Sequence, residues 1–140
     1  MNALTISQPF ASLIVTGTKW VENRTWETKY CGLLAIHAGK GQQYLGANEL
    51  KRYPTGAFIG VATLVACVSL ADLRKMPSTY RFPVSRKSAA ELLTHTHTEG
   101  PYCWILANPV GFPPIPCRGA QGLWLPPLDV IRQIRSAARL

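Results

Sequence analysis

The sequence predicts an α+β fold, a small mixed β-barrel with short flanking helices, and three observations point there. Short apolar or alternating runs recur along the chain between clusters of turn-forming residues. Helical periodicity is confined to brief stretches. The strands do not alternate with full-length helices, as parallel βαβ units would require, and no internal repeat is present. With 140 residues and 47% hydrophobic content, the chain is long and apolar enough to bury a core, and it shows no linker. A single domain over residues 1–140 is expected.

Ala3 to Ile6 is a short β-prone run. Ser7-Gln8-Pro9 then supplies a helix start, because a first-turn proline gives up an N–H that has no helical partner anyway. Phe10, Leu13 and Ile14 recur at helical spacing, and Gly17 offers the left-handed stop that ends this helix near Thr16. From Trp20 to Trp26 the pattern changes to a two-residue alternation, placing Trp20, Glu22, Arg24 and Trp26 on one side. Leu33 to His37 reads as a central strand, closed by Gly39-Lys40-Gly41. Gln42 to Leu50 reads as an irregular helix interrupted at Gly46, and Pro54-Thr55-Gly56 turns the chain into a long buried strand, Ala57 to Val68.

Leu70 to Lys75 is expected to form a helical turn, Met76 to Arg86 a loop, and Ser88 to Leu93 a helix broken by Thr94-His95-Thr96-His97-Thr98. Tyr102 to Ala107 is another strand. Pro109 to Pro116 reads as a proline-rich crossing that cannot be a central strand. Leu123-Trp124-Leu125 is a last short apolar piece, and Pro126-Pro127 opens a final helix with Val130, Ile131, Ile134, Ala137 and Ala138 along one stripe and Arg132, Arg135 and Arg139 opposite.

Fifteen Lys and Arg stand against seven Asp and Glu, a formal charge of +8. This balance favours an anionic partner, a nucleic acid or nucleotide, over a surface that is basic merely to stay dispersed. Cys31, Cys67, Cys103 and Cys117 have no metal-knuckle spacing, so no zinc site and no cofactor are expected, and free thiols fit a cytoplasmic protein. Cys117, beside Arg118, is the one cysteine with a neighbour that favours reactivity. The longest mostly apolar stretch, Phe58 to Ala71, is too short to span a bilayer, and no signal peptide or membrane association is expected.

The most specific segment is Leu4-Thr5-Ile6-Ser7-Gln8-Pro9-Phe10-Ala11 followed by Gly17-Thr18-Lys19-Trp20-Val21-Glu22-Asn23-Arg24-Thr25-Trp26. It resembles the GxKxxExR signature that follows a short QP-initiated helix in the ASCH family. Ile36-His37-Ala38, Ile59-Gly60-Val61, Gly100-Pro101-Tyr102-Cys103-Trp104 and the run from Pro116 to Trp124 continue the resemblance in order. It implies a PUA-like barrel with a cleft beside the first helix.

Lys19, Glu22 and Arg24 are expected to converge where the chain leaves the Gly17 turn. A carboxylate between two cations keeps its charge while the cations retain donors for phosphate or a base edge; the competing reading is a salt-bridge network that pins the helix to the barrel. Trp26 is expected near the cleft, where it can stack on a base, and Trp20 in packing; Trp104 and Trp124 are expected in the core. Arg118-Gly119 suits close approach to phosphate. The candidate binding set is therefore Gln8, Lys19, Arg24, Trp26, Lys40, Arg118 and Gly119, with Lys19 and Arg118 facing one basic pocket. Lys19, Glu22 and His37 are the candidate catalytic set. His95 and His97 have HxH spacing but no third ligand in view and read as a solvated loop.

Two classes of function follow. The first is a module that binds RNA or a modified nucleoside. The second is an enzyme: the resemblance implies either a metal-independent ribonuclease, with His37 shuttling a proton, or an amidohydrolase acting on N4-acetylcytidine through Lys19. In the amidohydrolase branch a threonine follows the motif lysine by three positions, where this chain has Glu22. Asp72, and less directly Glu99, are the downstream carboxylates considered as partners, and Glu22 is expected to keep Lys19 charged.

Overall fold

The computed structural model describes residues 1–49 and 51–140. Among the described residues six strands form one mixed sheet: β1 (Asn2–Ile6), β2 (Val21–Arg24), β3 (Gly32–Ala38), β4 (Ala57–Ser69), β5 (Tyr102–Pro116) and β6 (Leu123–Trp124), in the order β2-β5-β4-β3-β1-β6. Four short helices flank it: α1 (Phe10–Val15), α2 (Leu70–Lys75), α3 (Ala89–Thr94) and α4 (Leu128–Ala137). The class is the α+β expected. The sheet curls as a half-barrel, because β4 and β5 pair through three register shifts, each of which adds twist.

Pleat parity decides what each face holds. Leu4 and Ile6 of β1, with Leu34 and Ile36 of β3, pack with Ala11 and Ile14 of α1. Their neighbours Ala3 and Ala35 point the other way and pack with Phe58, Val61 and the α4 residues Val130 and Ile134. A third cluster joins Val21, Cys103 and Ile105 to Leu73 of α2 and Leu92 of α3. Ser69 and Ser88 cap α2 and α3 through their side-chain oxygens, which accept from Asp72 N and Glu91 N.

Two sequence expectations are corrected. Pro109 to Pro116 is strand, not a crossing: β5 runs on to Pro116 against β4. Proline is tolerated because β2 pairs with β5 only from Tyr102 to Ile105, so among the described residues the far edge of the later segment has no strand to bond. Residues 42–49 form turns and not a helix. Gly46 N donates to Glu49 Oε1, a local alternative to helical pairing, and Tyr44 turns out to meet Phe10. Leu50, the end of that expected helix, lies outside the described residues. No helix is long and apolar enough to cross a membrane among the described residues.

Candidate functional site

Gly17 adopts a φ of +84°, which ends α1 and lets Thr18 N and Lys19 N both donate to Leu13 O. That tight exit brings Lys19 under the helix just before β2 begins. Lys19 and Glu22 are buried, at 5% and 7% exposure. Lys19 Nζ lies 3.6 Å from Glu22 Oε1, Arg24 Nη2 lies 3.0 Å from Glu22 Oε2, and Arg24 Nη2 also donates to the Thr5 carbonyl at 2.9 Å. Arg24 thus ties the edge strand β2 to β1 across the open side of the half-barrel.

Burial pushes the Lys19 ammonium below its ordinary pKa, and this outweighs the opposing attraction of Glu22. Glu22 was expected to keep Lys19 charged, and its attraction does act in that direction, against the burial. The lysine also sits 5.4 Å from the centroid of the Phe10 ring.

These residues form the inner part of a cleft of about 320 Å³. Phe10 and Tyr44 line it with their rings 5.1 Å apart in an edge-on arrangement. Asn23, His97 and Glu99 complete it. Asn23 secures that last segment to β2: its Nδ2 donates to His97 O, and its Oδ1 accepts from Glu99 N and Gly100 N. The charged residues lining the cleft are two cations, Lys19 and Arg24, and two carboxylates, Glu22 and Glu99, with His97 held below its ordinary pKa by burial and then by Lys19. The cleft is charge-balanced, not basic.

Arg118 does not line it. Arg118, Gly119, Lys40 and His37 border a second, open depression of about 810 Å³, and Thr5 lines both. The reason is parity: Thr5 and His37 share register with each other and alternate with Leu4, Ile6 and Ile36, which face α1. The expectation of one pocket shared by Lys19 and Arg118 is corrected to two clefts meeting at Thr5.

His37 is buried and fully bonded. Its Nε2 lies 2.7 Å from the Cys117 carbonyl and its Nδ1 3.2 Å from Thr5 Oγ1, which also accepts from Trp124 Nε1. The carbonyl requires a proton on Nε2, so Nδ1 accepts from Thr5, and burial lowers the His37 pKa in favour of this neutral form. His37 fixes the Pro116–Gly119 segment and does not reach the Lys19 cleft.

Other predicted residues are placed elsewhere. Gln8 is fully buried and committed: its Nε2 donates to Ser12 Oγ and Pro54 O, and its Oε1 accepts from Ser12 N. Trp26 packs edge-on against the buried Trp104 and lines neither cleft. Trp20 stacks on His95 at 4.2 Å, its backbone N–H donates to His95 Nε2 and its indole N–H to Gly17 O, and Lys87 Nζ lies 3.8 Å from the ring centroid. Asp72 is exposed in the first turn of α2, so Glu99 is the downstream carboxylate near Lys19. Burial raises the Cys117 thiol pKa, which opposes the reactivity its Arg118 neighbour suggested.

Phe10, Tyr44, Asn23 and His97 were not singled out as cleft residues from the sequence. Asn23 falls on the opposite parity to Glu22, so the alternation along β2 set it apart from the Lys19 cluster. His97 and Glu99 precede Gly100-Pro101, and that turn signal marks where a loop must return to the sheet.

Residues 4–116 match the family model of the ASCH domain. Activating signal cointegrator 1 from Homo sapiens is 29% identical over 123 residues, covering 76% of this chain and 19% of that protein. The Mus musculus protein of the same name is 35% identical over 82 residues, covering 47% of this chain and 14% of that protein. The chain spans about a fifth or less of the length of these curated relatives. An ASCH protein from Zymomonas mobilis has the same fold with a TM-score of 0.58 at 18% identity, covering 96% of this chain and 93% of that one. A mutant form of it gives 0.59 at 19% identity, covering 96% of each chain. The motif order, the half-barrel and the matched span together establish that this chain belongs to the ASCH domain family.

Proposed function

We propose that the Lys19 cleft receives the base and sugar of one nucleoside unit, presented by RNA or as a free modified nucleoside. The observation that carries this reading is an ion-paired chain of Lys19, Glu22 and Arg24, brought to charge balance by Glu99 across the cleft, beside two aromatic rings. Such a floor offers donors and an acceptor to a polar, uncharged base edge, and the rings offer a stacking surface. A volume of about 320 Å³ is at the small end of ligand pockets, roughly 300–1,000 Å³, and suits one unit rather than several. The overall charge of +8 supports a polyanion as the larger partner.

Calorimetric titration with nucleosides and with single-stranded RNA tests this. Nucleoside affinity is expected to change little with salt, and Lys19→Met is expected to weaken it at least tenfold. Unchanged binding of both ligands by that variant would overturn the reading.

The burial of Lys19 at the cleft, with Glu22 no nearer than 3.6 Å and its basicity lowered by that burial, favours a second reading, hydrolysis of an acylated base such as N4-acetylcytidine. Neutral Lys19 Nζ would take a proton from water as hydroxide adds to the acetyl carbonyl. Collapse then releases acetic acid, which loses its proton to water, and the departing exocyclic nitrogen takes back the proton held by Lys19. Turnover of acetylcytidine by the wild type, rising with pH through the depressed lysine pKa, is the expected sign. Binding without turnover leaves the module alone standing. The ribonuclease mechanism built on His37 has less support, since both its ring nitrogens are engaged away from Lys19.

A further inference from the structure

The two clefts differ in electrostatics, and the difference assigns them different parts of one ligand. Among the described residues two cations, Lys40 and Arg118, and no carboxylate line the second depression. Among the described residues neither cation forms an ion pair. The site is also built. Gly56, at a φ of +64°, lets the Lys40 stem lie across the backbone, where a Cβ would fall 2.7 Å from Lys40 Cε. Gly119 settles against His37 and Thr5 so closely that a Cβ would stand 2.7 Å from His37 Cε1 and 3.0 Å from Thr5 Oγ1. With the His37–Cys117 bond, these contacts hold Arg118 on a fixed loop.

Both clefts lie at the carboxyl ends of the parallel strands β1 and β3, and two elements join them. Thr5 lines each, and the segment after β3 contributes Lys40 to one and Gln43 and Tyr44 to the other. Thr5 is therefore a wall common to a cleft suited to a neutral polar part and a cleft suited to an anionic group.

Resting on the nucleoside reading of the Lys19 cleft, we infer that the Lys40–Arg118 depression holds a phosphodiester adjoining that nucleoside, so the ligand is a polynucleotide strand and not a free nucleoside. Arginine forks onto two phosphate oxygens, and lysine adds a point charge. The balanced Lys19 cleft gives a phosphate no comparable gain.

The test compares wild type, Arg118→Ala, Lys40→Ala and the double variant by calorimetry at several salt concentrations. The ligands are a single-stranded RNA hexamer, its component nucleosides and inorganic phosphate. Both substituted side chains are exposed or free of ion pairs, so the fold is retained. The hexamer is expected to bind more tightly than any nucleoside and to weaken roughly tenfold with each substitution. The slope of log affinity against log salt should fall by roughly 0.7 per lost contact. Nucleoside affinity should not move. Hexamer affinity and slope unchanged in the double variant would overturn the inference, as would inorganic phosphate binding as tightly as the hexamer. If nucleosides fail to bind the wild type while hexamer binding still depends on Arg118, the phosphate site stands and the base site falls.

Discussion

Lys19 Nζ stands 3.6 Å from one oxygen of Glu22, while the other oxygen of that carboxylate is held by Arg24 at 3.0 Å. Lys19 is thus the looser partner of a buried carboxylate that is already neutralised. Its dominant cost is desolvation. Replacing it with Met keeps the stem and removes the charge, so Lys19→Met is expected to raise stability by about 1 kcal/mol while weakening ligand binding. Urea unfolding of the two proteins measures the first effect. A loss of stability would mean that Glu22 depends on Lys19 after all.

Gln8 was among the binding residues expected from sequence, and its buried bonds give it a different role. Gln8→Ala would leave the Pro54 carbonyl and Ser12 without partners, costing roughly 1–3 kcal/mol. The melting temperature should fall, with nucleoside affinity per folded molecule unchanged.

Acid should destabilise this protein before its carboxylates titrate. His37, His95 and His97 are all held below their ordinary value of 6.5, in each case first by burial. The unfolded chain then binds more protons than the folded one between 6.5 and the lowered folded values. Stability is present above pH 6.5 and is lost as pH falls through that window. His95 Nε2 must stay unprotonated to accept from Trp20 N. His95→Gln keeps an acceptor that does not titrate, and melting curves from pH 7.5 to 5 should be flatter for this variant.

Gly119 and Gly122 separate close approach from backbone conformation. A Cβ on Gly119 meets His37 and Thr5, whereas one on Gly122, at a φ of +67°, meets nothing within 4 Å. Gly119→Ala is expected to cost roughly 1–3 kcal/mol and to loosen the Arg118 loop. Gly122→Ala is expected to cost about 1–2 kcal/mol from its left-handed φ alone, with RNA affinity retained. Thermal melts and RNA titration of both variants check the contrast.

Local patterns carried the elements well where one physical rule dominated. The Phe10, Leu13 and Ile14 spacing with Gly17 gave α1, and the apolar run gave β4. The convergence of Lys19, Glu22 and Arg24 was legible because a helix stop and a short strand confine them within a few residues. Reading failed where a distant partner decided the outcome. The prolines of β5 are accommodated only because β2 is short, and Tyr44 and His97 reach the cleft from loops whose paths no periodicity encodes. The Lys19–Arg118 pairing failed because sheet parity two strands away is invisible in either motif.

Thr5 presents its carbonyl to Arg24 and its hydroxyl to His37 and Trp124. Any displacement of Thr5 therefore bears on Arg24 and on His37 together, because the two oxygens of one residue hold both.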